Sequence, residues 1–121
     1  MKRKVLVTGA DGLLGFEFIS KFNTQFDIVA LCRKEPLVKF DGVEYLMVDL
    51  SRNDFISLLP KQVDIILHLA QSSLFRDFPN SANDVFSVNI ASTAGLLNYA
   101  YLVKPIKFIY VSSGGIYGAN K

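Results

Sequence analysis

The sequence is poor in the residues from which specialised sites are usually built. Cys32 is the only cysteine in 121 residues, so an intrachain disulfide is excluded. His68 is the only histidine, and no Cys/His cluster accompanies it, which leaves no zinc site. Unbroken apolar runs are short, as in Ile65-Ile66-Leu67, and none approaches the ~20 residues of a membrane span. Charge of one sign is scarce too: 13 basic residues stand against 11 acidic ones, a net +2, too mild to point to nucleic acid. The start, Met1-Lys2-Arg3-Lys4-Val5-Leu6-Val7-Thr8-Gly9, is positive and then apolar. Its apolar part is too short for a signal-peptide core, and Gly9-Ala10-Asp11-Gly12 is a poor cleavage site. With the single cysteine, this favours a cytoplasmic setting.

What the chain does have is apolar content. Half of its residues are hydrophobic and 20% are charged, which excludes a disordered or acidic-tail protein. Its length suits one domain, residues 1–121, able to bury about two-thirds of its unfolded surface. Apolar runs alternate with helix-period segments. Strands are expected at Lys4–Thr8, Asp27–Leu31, Val43–Val48, Val63–Leu69 and Ile106–Val111. A helix is expected over Leu13–Phe22, where Leu14, Phe18 and Phe22 recur with Ile19 beside them. Ser51-Arg52-Asn53-Asp54 reads as a capping box for a short helix at Phe55–Leu59, with Ser51 as N-cap. A long helix is expected over Asn80–Val103, with Ala82, Phe86, Ile90, Thr93, Leu97 and Tyr101 on one stripe and Pro105 ending it. Arg33–Asp41 and Ser112–Gly118 read as loops. Continuous rather than alternating apolar strands mark a parallel sheet covered on both faces. The order therefore gives a doubly wound α/β sheet, with ligands at the carboxyl ends of its strands.

The first strand runs into Thr8-Gly9-Ala10-Asp11-Gly12-Leu13-Leu14-Gly15. Glycines spaced Gly-x-x-Gly-x-x-Gly between a strand and an amphipathic helix have a physical reading. Gly9 turns the chain off the strand, Gly12 lets backbone approach a pyrophosphate, and Gly15 packs the helix close. Asp11, Leu13 and Leu14 fill the positions between them. Phosphates would then meet free N–H groups at the helix N-terminus. A tight turn with no ligand is the bland alternative.

With these residues the sequence resembles the short-chain dehydrogenase/reductase superfamily, in its extended branch, the NAD-dependent epimerase/dehydratase family. The match begins with Thr-Gly-x-x-Gly-x-x-Gly and continues in four further segments. Asp49-Leu50 follows the third strand, where the family's Asp contacts adenine. His68-Leu69-Ala70, followed by Gln71, ends the fourth strand, where family backbone lines the cofactor. Val88-Asn89-Ile90-Ala91-Ser92-Thr93 is similar to the family's Asn-Val-x-Gly-Thr, with Ser92 in place of Gly. Val111-Ser112-Ser113-Gly114-Gly115-Ile116-Tyr117-Gly118 is similar to Ser-Ser-x-x-Val-Tyr-Gly. The resemblance implies a Rossmann-type sheet of order 3-2-1-4-5, ending before the sixth strand and the substrate domain. It implies a dinucleotide cofactor held by Gly9, Asp11, Gly12, Leu13, Leu14, Gly15, Cys32, Arg33, Asp49, Leu50, Leu69, Ala70, Gln71, Asn89, Val111 and Ser112. The bland alternative for Asp49 is a solvated turn, set behind the cofactor contact; for Asn89 it is a tie between its helix and a neighbouring loop, set level with it. His68 reads as a packed strand-end residue rather than a catalyst, and Cys32 as a small buried one.

The second strand ends Ala30-Leu31-Cys32-Arg33-Lys34, with no acid at its tip. An acid there, about 20 residues past the glycines, would bind a ribose 2′-hydroxyl. Arg33 and Lys34 instead favour a 2′-phosphate, hence NADP over NAD, unless they are ordinary solvated charges. Family catalysis uses a Ser, a Tyr and a Lys. Ser113 matches the Ser. Tyr117 and Lys121 have the right spacing, but Gly118 follows Tyr117 at once and no helix is left to hold the pair; the catalytic Tyr and Lys are expected further on. The implied activity is hydride transfer by an epimerase, dehydratase or reductase on a nucleotide sugar, with this length inactive by itself. A non-catalytic, redox-sensing NADP-binding regulator is the alternative, and a receiver-like domain a distant third. The fifth strand is expected to form an exposed sheet edge, giving homo-oligomers or edge-strand association.

Overall fold

A computed structural model describes residues 2–72 and 77–111. Five strands form one parallel sheet: β1 (Lys4–Thr8), β2 (Asp27–Cys32), β3 (Glu44–Met47), β4 (Ile65–His68) and β5 (Lys107–Tyr110), in the order β3-β2-β1-β4-β5. This is the doubly wound order expected from the sequence. Helix α1 (Leu13–Phe22) crosses from β1 to β2, and a 3-10 helix (Asn53–Leu58) lies between β3 and β4. The connection to β5 is a helix in three parts: α2 (Ala82–Phe86), a π turn (Ser87–Ala91) and α3 (Ser92–Val103). Lys104 ends it in a left-handed conformation (φ +52°), and its N–H donates to the Ala100 carbonyl at 2.8 Å.

The central strands are apolar throughout because both sheet faces are covered. Alternate residues feed two cores. Leu6, Val29, Leu31 and Ile66 meet Phe55 and Leu59 of the 3-10 segment and Leu96 and Tyr99 of α3. Val5, Val7, Ile28, Ala30, Cys32 and Leu67 meet Ile19 of α1. Parallel register sets Thr8 beside both Leu31 and His68, so the strand tips align at one end of the sheet.

Three local expectations are corrected. The capping box does not form: Arg52, not Ser51, precedes the 3-10 helix, and no side chain caps it. Ser51 instead donates its N–H (3.0 Å) and hydroxyl (2.6 Å) to Asp49 Oδ1. A carboxylate two residues back competes successfully for a serine that would otherwise cap. The long helix is unbroken from Ala82 to Val103 but is not α throughout, since its middle, Ser87–Ala91, is a π turn. Its expected apolar stripe is also the wrong one: Phe86, Ile90, Leu97 and Tyr101 are exposed, whereas Val88, Ser92, Leu96 and Tyr99 are buried. The segment is apolar on more than one face, so periodicity did not choose between stripes.

β5 has a strand on one side only among the described residues. Ile109 (42%), Tyr110 (55%) and Val111 (41%) remain exposed along it. Open backbone groups flanked by apolar side chains invite pairing with another chain. Light scattering at tens of micromolar is expected to show a mass that rises with concentration, and Ile109→Lys should suppress the rise. A concentration-independent monomer mass for the unaltered protein would contradict this.

Candidate functional site

The aligned strand tips open into a cleft of about 520 Å³, within the size range of small-ligand sites. Its floor is the turn after β1, where Gly9 adopts φ +66°. A Cβ on Gly9 would stand 2.8 Å from the Ala70 nitrogen, and one on Gly15 would stand 2.5 Å from the Gly9 carbonyl oxygen. The turn is thus wedged between the β4 loop and α1, with no room for side chains. Gly12 precedes the first turn of α1 and no side chain caps it. The helix opens with its N–H groups unclaimed by a cap, the property that suits a helix start to anions.

One wall consists of Leu31, Cys32, Arg33 and Lys34 from the β2 tip and Val48, Asp49, Leu50 and Ser51 from the β3 tip. The Ser51 hydrogen bonds hold the Asp49 carboxyl below the usual carboxylate range, and Arg33 and Arg52 add to the effect. Burial, reinforced by Asp11 and Glu35, pushes the Cys32 thiol up to about 11. That is opposite to the depression a reactive thiol needs.

The facing wall is Leu69, Ala70, Gln71 and Ser72, backed by Asp84 and Val88. Side chains hold its backbone. The Leu69 and Ala70 N–H groups donate to Thr8 Oγ1 at 3.0 and 3.1 Å. The Ser72 N–H donates to Asn89 Oδ1 at 2.7 Å, and its hydroxyl to Asp84 Oδ2 at 2.5 Å. Just behind, His68 is 1% exposed. Its ring lies 2.6 Å from Thr8 Oγ1 at Nδ1 and 2.7 Å from Thr93 Oγ1 at Nε2, and burial brings its pKa down to about 4. It is the packed strand-end histidine the sequence suggested.

Of the residues picked from sequence, Gly9, Asp11, Gly12, Cys32, Arg33, Asp49, Leu50, Leu69, Ala70 and Gln71 come together on the cleft. Gly15 lies beneath it, and Leu13 and Leu14 are exposed at the start of α1. Asn89 takes the tying role through Ser72. Val111 is off the cleft lining, its N–H donating to the His68 carbonyl at 3.3 Å. Ser112, Ser113, Tyr117 and Lys121 lie outside the described residues. Sequence reasoning missed Leu31, Val48, Ser51, Ser72, Asp84 and Val88 as lining residues. Asp84 and Val88 stand one helical turn apart, and Val88 adjoins Asn89, the one signal that could have located them.

The sequence profile of the NAD dependent epimerase/dehydratase family matches residues 5–121. A dTDP-D-glucose 4,6-dehydratase of Mus musculus is 28% identical over 133 residues, covering 98% of this chain and 37% of the relative. A UDP-glucose 4-epimerase of Mycoplasma genitalium is 27% identical over 128 residues, covering 97% of this chain and 38% of the relative. The chain spans well under half the length of these curated relatives. A short-chain dehydrogenase/reductase superfamily protein from Agrobacterium tumefaciens with bound NAD superposes with a TM-score of 0.83 at 25% identity, over 98% of this chain and 35% of its own. An epimerase of Methanothermobacter thermautotrophicus gives a TM-score of 0.82 at 22% identity, over 93% of this chain and 36% of its own, a likeness of fold.

Two outcomes follow from the geometry. Gly9 and Gly42 both have positive φ, +66° and +81°, but a Cβ on Gly42 meets nothing within 4 Å. In urea melts, Gly42→Ala should cost about 1–2 kcal/mol of strain, and Gly9→Ala about 3 kcal/mol or more because overlap with Ala70 adds to strain. Equal losses would mean that the close approach is unimportant. For Cys32, a pKa of about 11 leaves about one thiol in a thousand ionised at pH 8. Alkylation in the native protein should run about a hundredfold slower than in unfolding urea; comparable rates would rule out the protonated, buried thiol.

Proposed function

The chain belongs to the NAD dependent epimerase/dehydratase family, and on that premise we propose that it forms the dinucleotide-binding part of an enzyme that transfers hydride to and from a nucleotide sugar. The observation that carries this reading is the cleft itself. A positive-φ glycine turn, an uncapped helix start and two strand tips meet at one end of the sheet, where open α/β sheets take their ligands. The fit to a dinucleotide is steric and electrostatic. Gly9 and Gly12 leave the backbone bare for a pyrophosphate, and the first-turn amides of α1 can donate to it. Val48 and Leu50 on one wall and Val88 on the other offer apolar surface to a flat base, with Asp49 at its rim. When bound, the dinucleotide supplies the hydride acceptor and donor.

The choice of dinucleotide rests on the β2 tip. Arg33 and Lys34 both line the cleft and no acid occupies the strand end. Arg33 can form a bidentate contact with a 2′-phosphate. NADP(H) is therefore the proposed cofactor, although the Agrobacterium tumefaciens relative carries NAD. Ser113 is the proposed substrate-orienting serine, with its Tyr and Lys partners supplied further along a longer chain. The relatives act on nucleotide sugars by name, which supports that substrate class here.

Fluorescence titration with NADPH and NADH tests the reading. NADPH should bind about tenfold tighter, the equivalent of one charge-assisted contact. Replacing Arg33 and Lys34 together by alanine should remove that preference while leaving NADH affinity in place, and added salt should narrow it. Tighter binding of NADH would overturn the NADP assignment. Failure of both dinucleotides to bind would overturn the functional reading.

A further inference from the structure

The donor and acceptor inventory around His68 closes without ambiguity. Thr8 Oγ1 accepts from two backbone N–H groups, those of Leu69 and Ala70. A hydroxyl has two lone pairs and one hydrogen. Both lone pairs are used, so the hydrogen goes to the remaining partner, His68 Nδ1. Nδ1 is then an acceptor, and the neutral ring carries its proton on Nε2. Nε2–H donates to Thr93 Oγ1, and the Thr93 hydroxyl donates onward to the Asn89 carbonyl in the π turn at 3.1 Å. The same Asn89 accepts the Ser72 N–H through its side chain. Both ends of the Leu69–Ser72 wall are thus tied, one at Thr8 and one at Asn89, and the imidazole joins the two ties.

We propose that His68 is a positioning residue for the dinucleotide cleft: its Nε2–H tautomer sets the Leu69–Ser72 wall in register with the Gly9 turn. The dinucleotide part of this assignment rests on the function proposed above. His68 itself is absent from the cleft lining, so it acts through Thr8 and Thr93. The groups facing the ring are Thr8 from β1, Thr93 from α3, and Phe108 and Tyr110 from β5, with ring centroids 6.3 and 5.6 Å away. Tyr110 is the titratable one among them, and no carboxylate hydrogen-bonds the ring among the described residues. An added proton on Nδ1 would face a hydroxyl already committed as donor, and accommodating it would release Leu69 or Ala70. Wall integrity and proton uptake therefore oppose each other, in the same direction as the burial that keeps the ring neutral.

Because His68 is the only histidine, its ring nitrogens can be observed by two-bond proton–nitrogen correlation without assignment. The expected result is the Nε2–H tautomer at neutral pH; the Nδ1–H tautomer would overturn the proposal. Thr93→Val removes the Nε2 acceptor while leaving every cleft-lining residue in place, and Thr93→Ser restores it. Thr93→Val should speed amide hydrogen exchange at Leu69, Ala70 and Ser72 and weaken NADPH binding about tenfold, the effect of one lost buried hydrogen bond. Thr93→Ser should return both to near the unaltered values. Unchanged exchange and affinity in a folded Thr93→Val protein, verified by its melt, would overturn the positioning role. If the unaltered protein binds neither NADPH nor NADH, the functional reading fails separately. The exchange comparison then still decides whether His68 organises the wall: faster exchange in Thr93→Val upholds it, and unchanged exchange refutes it.

Discussion

One buried oxygen organises the end of the sheet where the cleft lies. Thr8 Oγ1 receives the Leu69 and Ala70 N–H groups and touches His68 Nδ1. The last residue of β1 is thereby bound to the loop that leaves β4, about as close to the glycine turn as a side chain can be. A loop leaving a buried strand loses its ladder partners, and unpaired N–H groups in that position are costly. Here a side chain replaces the missing ladder bonds. The residue that turns the chain at Gly9 and the residue that satisfies the neighbouring loop are consecutive, so the floor and one wall of the cleft move together.

Steric exclusion complements that bond. The Ala70 nitrogen lies too close to where a Cβ on Gly9 would be (2.8 Å), and the Gly9 carbonyl oxygen too close to where a Cβ on Gly15 would be (2.5 Å). Three backbone segments from β1, α1 and the β4 loop are therefore in direct contact. Such contact leaves the polar backbone atoms of the turn close to any ligand, with no intervening side chain to shield charge. This is the feature on which anion recognition by main chain depends.

The sheet and its order were legible because buried parallel strands are written as unbroken apolar runs, and β1, β2, β3, β4 and β5 all fall where such runs occur. The β2 and β3 tips were legible for the same reason: whatever follows the last apolar residue of a strand faces the cleft. The facing wall was less so. Ser72 and Asp84 meet across 12 residues of chain, and Thr8 meets His68 across 60. These pairings depend on strand register and on a π turn, neither of which leaves a periodic trace. The stripe on the long helix was misread because Ser92–Val103 is apolar on several faces, and the choice among them was made by packing against Phe55 and Leu59. Ser51 was misread because a cap and an Asp two residues back make equal claims on one serine.

The charge pattern of the cleft follows from the same architecture. Asp11, Asp49 and Asp84 share its lining with Arg33 and Lys34, so the site as a whole is not strongly basic. What matters is placement. Ser51 ties up one Asp49 oxygen, and Ser72 occupies one Asp84 oxygen, so both carboxylates are partly satisfied by the protein. The cations follow the β2 tip, one and two residues past Cys32, just beyond the last residues that β2 pairs with β1 (Leu31) and with β3 (Cys32). A cation on a rigid strand end loses little freedom when it binds a phosphate, whereas one on a mobile loop must first be ordered. The proposed contact of Arg33 and Lys34 with an anionic group would therefore start from side chains whose backbone adjoins a paired strand end.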